Sequence, residues 1–454
     1  MRDRFLWIAV GVYAGAFTVL GSIKYDVHRN LVDFGIFAQT AASAFGCFCN
    51  TVEGSHWAYH FSPILYLAGA VVGFVRSPFA LIALQSIACA LTLPPLYALV
   101  RRSSNVSIAR MATVVGFAYP ALAGLAFNDF HENDFAPASI LWMVWAFERG
   151  LPVAACGFAA LALCVKEDQA VFLIAAGVAV FARFRGTRFA RAGLFVAALS
   201  ACVLWQYFAY VQPHAAAHAV WAPSRFYAWT MQDVRPFLTI GLLQRVGFIA
   251  LTFVPLVFLP FRSRLMWLAA LPLGEVLLSR MPTTFTMGTH YAGAWIGWVL
   301  AAFALVVRRM PELQARRALC WCAALCVVEF IVADPLHPGL NLRGIEARDV
   351  RLDAALSALS PYVAVSTQEE AYTHLALSNP RATVFPEHAW MRVTTPFALT
   401  DTDFPHSPRL QEYGPAVRAP CFVPVRRFGS VVLYRALCWA SSSARSAATA
   451  RSGH

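Results

Sequence analysis

The sequence contains little charge for its length. Charged residues make up 13% of 454 residues, whereas hydrophobic residues make up 59% and the mean hydropathy is +0.57. This composition excludes a soluble enzyme and is typical of a polytopic membrane protein. The formal net charge is nevertheless +12. Most arginines lie in short loops between apolar runs, so we interpret them as signals of membrane topology and not as a nucleic-acid-binding surface.

The sequence also lacks the cleavage pattern of a secretory leader after its first apolar run. No small-residue cleavage pattern follows the first apolar run, residues 5–23, so we predict an uncleaved membrane helix there.

A disulfide framework is missing as well. Seven of the eleven cysteines lie in apolar runs and are predicted to be small core residues: Cys89, Cys156, Cys164, Cys202, Cys320, Cys322 and Cys326. Cys47 and Cys49 are too close in sequence for an easy bridge. Cys421 could pair with Cys438 if both lie on an oxidising outer face.

Arginine-rich loops predict the topology of the chain. Such loops face the cytoplasm in most membrane proteins. We interpret residues 61–75 as a juxtamembrane helix and residues 135–147 and 153–165 as a helical hairpin. The alternation then gives about eleven crossings over residues 1–334, among them residues 111–127 and 246–261, with an external loop at 24–77 and a cytoplasmic N-terminus.

The last part of the chain has a different pattern. Residues 335–440 predict a small extracytoplasmic α/β or α+β domain, and the Ser/Ala/Arg-rich residues 441–454 predict a disordered tail. Within this domain we expect a charged helix at 344–359 and strands at 362–365, 382–385, 422–425 and 430–434.

A polar cluster at residues 128–134 is the centre of the candidate site. Asp129, His131, Glu132 and Asp134 lie there between two apolar runs. Because lipid tolerates neither unpaired carboxylates nor bare loop backbone, the cluster must lie in an interfacial loop or a wet cavity. Carboxylates with an imidazole can hold a divalent cation such as Mg²⁺ or Mn²⁺. The alternative is a solvated turn between two helices.

Three other polar segments are predicted on the same outer side of the membrane. Their residues are Asp33, Lys166, Glu167, Asp168, His290 and Tyr291. Their convergence predicts a functional site, because ionisable groups at membrane depth are functional candidates. Each segment also has a simpler interpretation. Asp33 could cap a juxtamembrane helix, the second segment could form a local ion pair, and the third could be an interfacial anchor.

The sequence resembles a known family at five motifs. They are VDFGIFAQ at residues 32–39, HFSP at 60–63, NDFH at 128–131, KED at 166–168 and HY at 290–291. Their order and spacing resemble the bacterial membrane proteins of domain of unknown function 2079, over most of residues 25–435. That family is similar to the GT-C superfamily of polytopic glycosyltransferases. The resemblance implies a GT-C-like fold in the bacterial inner membrane and transfer of a sugar from a polyprenyl-phosphate carrier at the outer face.

The resemblance also implies roles for individual residues. Asp33 matches the acidic residue of the first external loop, which we predict to be the general base. Asp129, with Glu132 or Asp134, matches the cation-binding acids of the second loop, although no Asp-X-Asp motif occurs here.

The departing phosphate requires positive charge, which a metal or a basic side chain can supply. Lys166 is the first candidate, with Arg225 and Arg280 behind it. Glu167, Asp168, His290 and Tyr291 complete the predicted donor-phosphate site.

We therefore expect an inverting membrane glycosyltransferase. Its expected partners are a polyprenyl-phosphate-linked sugar, membrane lipid, and an unknown glycan, lipid or protein acceptor. A transporter or flippase and a non-catalytic scaffold are the alternatives. No inverted repeat and no row of mid-helix charges is visible in the sequence, which favours surface chemistry over transport.

Overall fold

The computed structural model describes residues 3–216, 240–386, 393–403 and 422–437. Arg225, the predicted pairing of Cys421 with Cys438, and the tail at 441–454 lie outside these ranges.

Helices form most of the first part of the chain. They are α1 (Arg4–Asp26), α2 (Val32–Ala42), α3 (Leu65–Val75), α4 (Pro78–Ala90), α5 (Leu93–Arg101), α6 (Val106–Ala118), α7 (Pro120–Phe127), α8 (Ala136–Glu148), α9 (Pro152–Leu163), α10 (Asp168–Arg183), α11 (Arg188–Gln206), α12 (Gln212–Ala215), α13 (Ile240–Phe253), α14 (Met266–Leu278), α15 (Gly293–Val307), α16 (Glu312–Ala333) and α17 (Pro338–Asn341). A short hairpin of β1 (Cys49–Asn50) and β2 (Gly54–Ser55) follows α2.

Four helical segments of the described residues are long and apolar enough to cross a membrane. They are Arg4–Asp26, Pro78–Arg101, Arg188–Ala215 and His290–Val307. The bent pair of α6 and α7 adds a fifth if it counts as one span. The protein is therefore a helical membrane protein, while the number of about eleven crossings stays a prediction.

Prolines break two of the predicted crossings. Over residues 111–127 the chain bends by 50° between α6 and α7. Tyr119 is extended there because a proline disfavours helical backbone in the residue before it, here Pro120. The crossing predicted at residues 246–261 is wrong as one continuous helix. Helix α13 ends at Phe253, and two short 3-10 turns that each contain a proline follow.

The prediction that Cys47 and Cys49 do not pair is also wrong, because they form a disulfide. Phe48 between them has a φ of 49°, which turns the chain sharply. The two Cα atoms thereby lie 5.2 Å apart, a separation that a disulfide spans without moving the backbone.

The core assignment of the other cysteines is correct only in part. Cys89, Cys322 and Cys326 are buried, as predicted for small core residues. Cys202 and Cys320 are exposed instead, because they lie on the outward faces of α11 and α16. An apolar helix run therefore predicts burial in protein only for the face that packs on other helices.

A small domain with one mixed sheet forms the C-terminal part. Its elements are α18 (Ala347–Ser357), β3 (Val365–Thr367), α19 (Glu369–Leu375), β4 (Ala382–Val384), β5 (Phe397–Asp401), β6 (Phe422–Phe428) and β7 (Val431–Ala436). The strand order is β4-β3-β5-β7-β6. Strand β3 pairs in parallel with β4 and β5, and the β5–β7 and β7–β6 pairs are antiparallel. The predicted charged helix and the strands predicted at 382–385, 422–425 and 430–434 are confirmed, whereas the strand predicted at 362–365 lies later, as β3 at Val365–Thr367. Helix α19 and strand β5 were not predicted.

This domain packs directly on α2, the helix that carries Asp33. One apolar cluster contains residues of both parts, among them Phe34 and Leu352. The Tyr372 hydroxyl donates to Gln39 Oε1 at 2.9 Å, and Gln39 Nε2 donates to a backbone carbonyl next to β4 and to one within it. The C-terminal domain therefore fixes the position of α2.

Candidate active site

One cavity of about 740 Å³ brings the predicted polar segments together. Its charged and polar lining includes Asp33, Glu53, His60, His131, Asn133, Lys166, Glu167, Asp168, Glu275, His290 and Tyr291. Apolar side chains of α10, α11 and α14 also line it, among them Phe172, Leu204 and Leu271. The cavity is therefore amphipathic, with ionisable groups and helix faces in one space.

Helix ends place these polar side chains. Asp33 lies in the first turn of α2, and Lys166 lies just before α10. His290 begins a 3-10 turn that leads into α15, and His131 precedes another that leads into α8. Apolar sequences end at these points, so the polar residues between them meet at one level of the helix bundle.

Asp129 does not line this cavity. Its Oδ1 accepts from Lys24 Nζ at 2.7 Å and from Asn30 Nδ2 at 2.8 Å, and its Oδ2 accepts from Leu31 N at 2.7 Å. All three donors belong to the end of α1 or to the segment that enters α2. The carboxylate thus anchors the chain two residues before Asp33, and the structure places it behind the cavity wall and not in it.

The buried carboxylate of Glu132 forms the centre of an ion cluster. His131 Nδ1 lies 2.8 Å from its Oε2, and Lys166 Nζ lies 3.9 Å from its Oε1. Burial by itself raises the pKa of Glu132, but the charges of His131 and Lys166 outweigh it and lower that pKa. Burial likewise lowers the pKa of Lys166, and the nearby carboxylates reverse this and raise it. The ionised forms of Lys166 and Glu132 therefore stabilise each other.

Glu167 connects the loop before α10 with the loop before α3. His60 Nδ1 lies 3.0 Å from its Oε1, and the backbone N–H of Phe61 donates to its Oε2 at 2.9 Å. The simpler alternative, a local ion pair between Lys166 and Glu167, is therefore replaced by contacts of each residue with another loop. Both partners of Glu167, His60 and Phe61, belong to the HFSP motif.

Asp33 faces the histidines of the opposite loops. Its Oδ2 lies 3.9 Å from His290 Nδ1, and the His290 ring stacks on the His131 ring with centroids 3.8 Å apart. The Asp33 side chain is 42% exposed, within the cavity that it lines. Burial raises the pKa of Asp33 to about 7, and the negative charges of Asp129 and Glu53 add to this shift. The carboxyl can therefore exchange a proton near neutral pH.

Several cavity residues were absent from the predicted site. Glu53 and His60 lie in the polar loop between α2 and α3, where the sequence offers many polar candidates. Glu275 is the one charged residue in the apolar sequence of α14, and this signal could have identified it. Asp134 does not line the cavity. Its Oδ2 accepts from the backbone N–H of His131 at 3.0 Å, which holds the carboxylate within its own 3-10 turn.

The predicted cation ligands fit a metal ion unequally. Asp129 already accepts three hydrogen bonds, so it offers little to an ion. Glu132 Oε1 has only the ion pair with Lys166 at 3.9 Å, and Asn133 Oδ1 has no hydrogen-bond donor among the described residues. Buried oxygens of this kind are costly unless a cation or water compensates them. Glu132 and Asn133, with His131, are the better candidates to hold a divalent cation.

Comparisons with solved structures identify the fold. ArnT from Cupriavidus metallidurans bound to undecaprenyl phosphate is 12% identical, with a TM-score of 0.57 over 95% of this chain and 98% of that one. The apo state of the same protein gives 0.54 at 13% identity, over 94% and 97%. An oligosaccharyltransferase from Archaeoglobus fulgidus gives 0.45 at 13% identity, over 96% and 73%. At this identity the likeness to ArnT shows a GT-C-like fold.

The sequence comparisons point to a family. No curated protein matches the sequence. A family model described as a predicted membrane protein, DUF2079, matches residues 25–339. This match contains all five motifs that carry the resemblance. The chain therefore belongs to the DUF2079 family of predicted membrane proteins.

Proposed function

We propose that the protein is a membrane glycosyltransferase that transfers a sugar from a polyprenyl-phosphate donor to an acceptor hydroxyl. The amphipathic cavity carries this proposal, because it combines titratable groups with apolar helix faces. A lipid-phosphate sugar needs both, since its reacting bond is polar and its tail is apolar. The fold likeness to ArnT, whose structure contains undecaprenyl phosphate, supports the same class of donor.

Asp33 is the proposed general base. A carboxylate with a pKa of about 7 is half ionised at neutral pH and can remove the proton of an acceptor hydroxyl as the new glycosidic bond forms. His290 lines the cavity beside that carboxylate, 3.9 Å from it, and can contact an incoming hydroxyl. The unknown acceptor can be a glycan, a lipid or a protein.

Lys166 is the proposed partner of the departing phosphate. It lines the cavity and stays charged, because Glu132 and the adjacent acids raise its pKa. Tyr291 lies beneath it, with Lys166 Nζ 6.0 Å from the ring centre. Glu167, Asp168 and His290 line the same cavity and stay the other proposed donor-phosphate residues, and Glu167 also binds His60 of another loop.

A divalent cation, Mg²⁺ or Mn²⁺, forms part of the proposal. Glu132, Asn133 and His131 would hold it near Lys166. When bound, the ion would supply positive charge for the donor phosphates. The cavity wall carries more carboxylates than lysines, which supports an added positive charge at this place.

The proposed topology has about eleven crossings, a cytoplasmic N-terminus and an external C-terminal domain in a bacterial inner membrane. Because α2 packs on that domain, this topology places the cavity at the outer face.

Transfer of a radiolabelled sugar tests the function. Purified full-length protein in detergent is supplied with a polyprenyl-phosphate sugar and with lipid extracts as acceptors. We expect label to move to an acceptor and polyprenyl phosphate to be released. Binding of polyprenyl phosphate without any transfer, over a panel of donor sugars and acceptors, would contradict an enzyme and favour a carrier or scaffold.

A further inference from the structure

A second cluster of ionisable residues lies away from the cavity, where the end of α1 meets the C-terminal domain. His28 follows α1, Asp353 lies in α18 and His374 lies in α19. Each of the three offers one ligand atom, and these atoms lie within 4.8 Å of one another. Among the residues that the structure describes, no other three His, Cys, Asp or Glu side chains meet this condition. None of the three lines the cavity.

The hydrogen bonds of His28 identify which of its ring nitrogens can bind a metal ion. Asp349 Oδ1 lies 3.3 Å from His28 Nδ1, and Arg343 donates to both oxygens of that carboxylate. The pairing with Arg343 keeps Asp349 ionised, so His28 Nδ1 carries the proton and donates it. His28 Nε2 then faces Asp353 Oδ1 at 3.0 Å, a usual separation of two ligands of one metal ion.

The ring of His374 is held in a similar way. Its Nε2 lies 3.1 Å from the backbone carbonyl oxygen of Tyr25. A carbonyl oxygen only accepts, so this nitrogen carries the proton and Nδ1 keeps its lone pair. A ligating histidine commonly donates its other ring nitrogen to a carboxylate or a backbone carbonyl. His28 donates to a carboxylate and His374 donates to a backbone carbonyl.

We propose that His28, Asp353 and His374 form a binding site for a divalent transition-metal ion of the Zn²⁺ class. Two imidazoles and one carboxylate are the ligand set that suits this ion, with water as the fourth ligand. The Asp353 side chain is 57% exposed, so an ion can enter from solvent. The His28 and His374 rings are stacked with centroids 4.1 Å apart, so the two imidazoles lie side by side at this place.

The site has a structural consequence. One ligand comes from the segment that links α1 to α2, and the other two come from the C-terminal domain. A bound ion therefore joins the two parts of the protein directly. The ion binds only when the C-terminal domain is docked on the α1–α2 segment. The free energy by which it stabilises this docked state therefore grows with the logarithm of the ion concentration once that concentration exceeds Kd. This role is independent of the proposed sugar transfer.

Metal content tests the proposal. Full-length protein in detergent is stripped with a chelator, incubated with Zn²⁺ alone, desalted and analysed for bound zinc. The variants are Asp353→Asn and His374→Gln, and the control is His337→Gln, an exposed histidine outside the cluster with a side chain 62% exposed. We expect wild type and control to retain about one zinc more per chain than either variant. Any zinc bound in the cavity is the same in wild type and in the variants, so it does not affect this difference.

Thermal unfolding provides a second readout. Zn²⁺ should raise the Tm of wild type and of the control, and should raise it less in Asp353→Asn. Because Asp353 is more than half exposed, Asp353→Asn should fold. If His374→Gln does not fold, the comparison of Asp353→Asn with wild type is the test of the metal site. Equal zinc content in wild type and folded Asp353→Asn would overturn the proposal. So would the absence of bound zinc in the wild type.

Discussion

Asp33→Asn is the sharpest test of the cavity chemistry. The substitution keeps the size of the side chain and removes its ability to accept a proton. Loss of a general base typically lowers the rate by about 10²–10⁴-fold, so the rate of sugar transfer should be lower in this variant by a factor in that range. The Asp33 side chain is 42% exposed and lies 3.9 Å from the His290 ring nitrogen, too far for a hydrogen bond that folding would depend on, so the variant should fold.

The pH dependence follows from the raised pKa of Asp33. A base with a pKa of about 7 is ionised in about one tenth of molecules at pH 6 and in about nine tenths at pH 8. The wild-type rate should therefore rise about tenfold across this range, while the residual rate of Asp33→Asn stays flat in the same buffers.

The same pKa shift affects stability in the opposite direction. Asp33 has a higher pKa in the folded protein than the ordinary value of 3.8, so the folded state holds the proton more tightly. Stability from this group is present at low pH and is lost as the pH rises from about 4 to about 7. Asp33→Asn should remove this loss, and its Tm at pH 8 should equal or exceed that of wild type.

The assay compares initial rates of sugar transfer and melting curves at each pH. Glu312→Gln is the matched control, since this exposed carboxylate pairs with Arg316 on the same helix and lies outside the cavity. Near-normal transfer by folded Asp33→Asn would remove Asp33 from the mechanism. Loss of both transfer and folding would assign the residue a structural role at the start of α2.

Three further predictions concern the site, the packing and the topology. Lys166→Gln should weaken donor binding and lower the Tm, because the buried carboxylate beside it loses its cation; an unchanged donor Kd would refute its phosphate role. Gly35→Ala should lower the free energy of unfolding by about 1–3 kcal/mol, because the new methyl group would lie 2.4 Å from a ring carbon of Tyr372 in the C-terminal domain. Gly11→Ala, where the space around the glycine is open, should leave the free energy of unfolding unchanged or higher. Reporter fusions at Gly186 should read cytoplasmic and those at Ser378 external, and a cytoplasmic signal at Ser378 would contradict the outer location of the cavity.

Hydropathy and charge predicted the class of this protein because both are local properties of the chain. An apolar run long enough to span a bilayer has few other uses, and its flanking arginines are read without knowledge of the fold. Residues 344–359 and 382–385 likewise predicted their helix and strand from local periodicity. Local patterns were less reliable at prolines, where the crossing predicted at residues 246–261 is broken.

The sequence by itself determined that Asp33, His131, Lys166 and His290 belong to polar segments at helix ends, because motif order and apolar runs are written in the chain. Only the tertiary structure decided which polar side chains face the cavity. Asp129 is an equally good candidate by sequence, yet its carboxylate is turned toward donors near α2. Hydrogen-bond partners about a hundred residues away in sequence determine such orientations, and no local pattern encodes them.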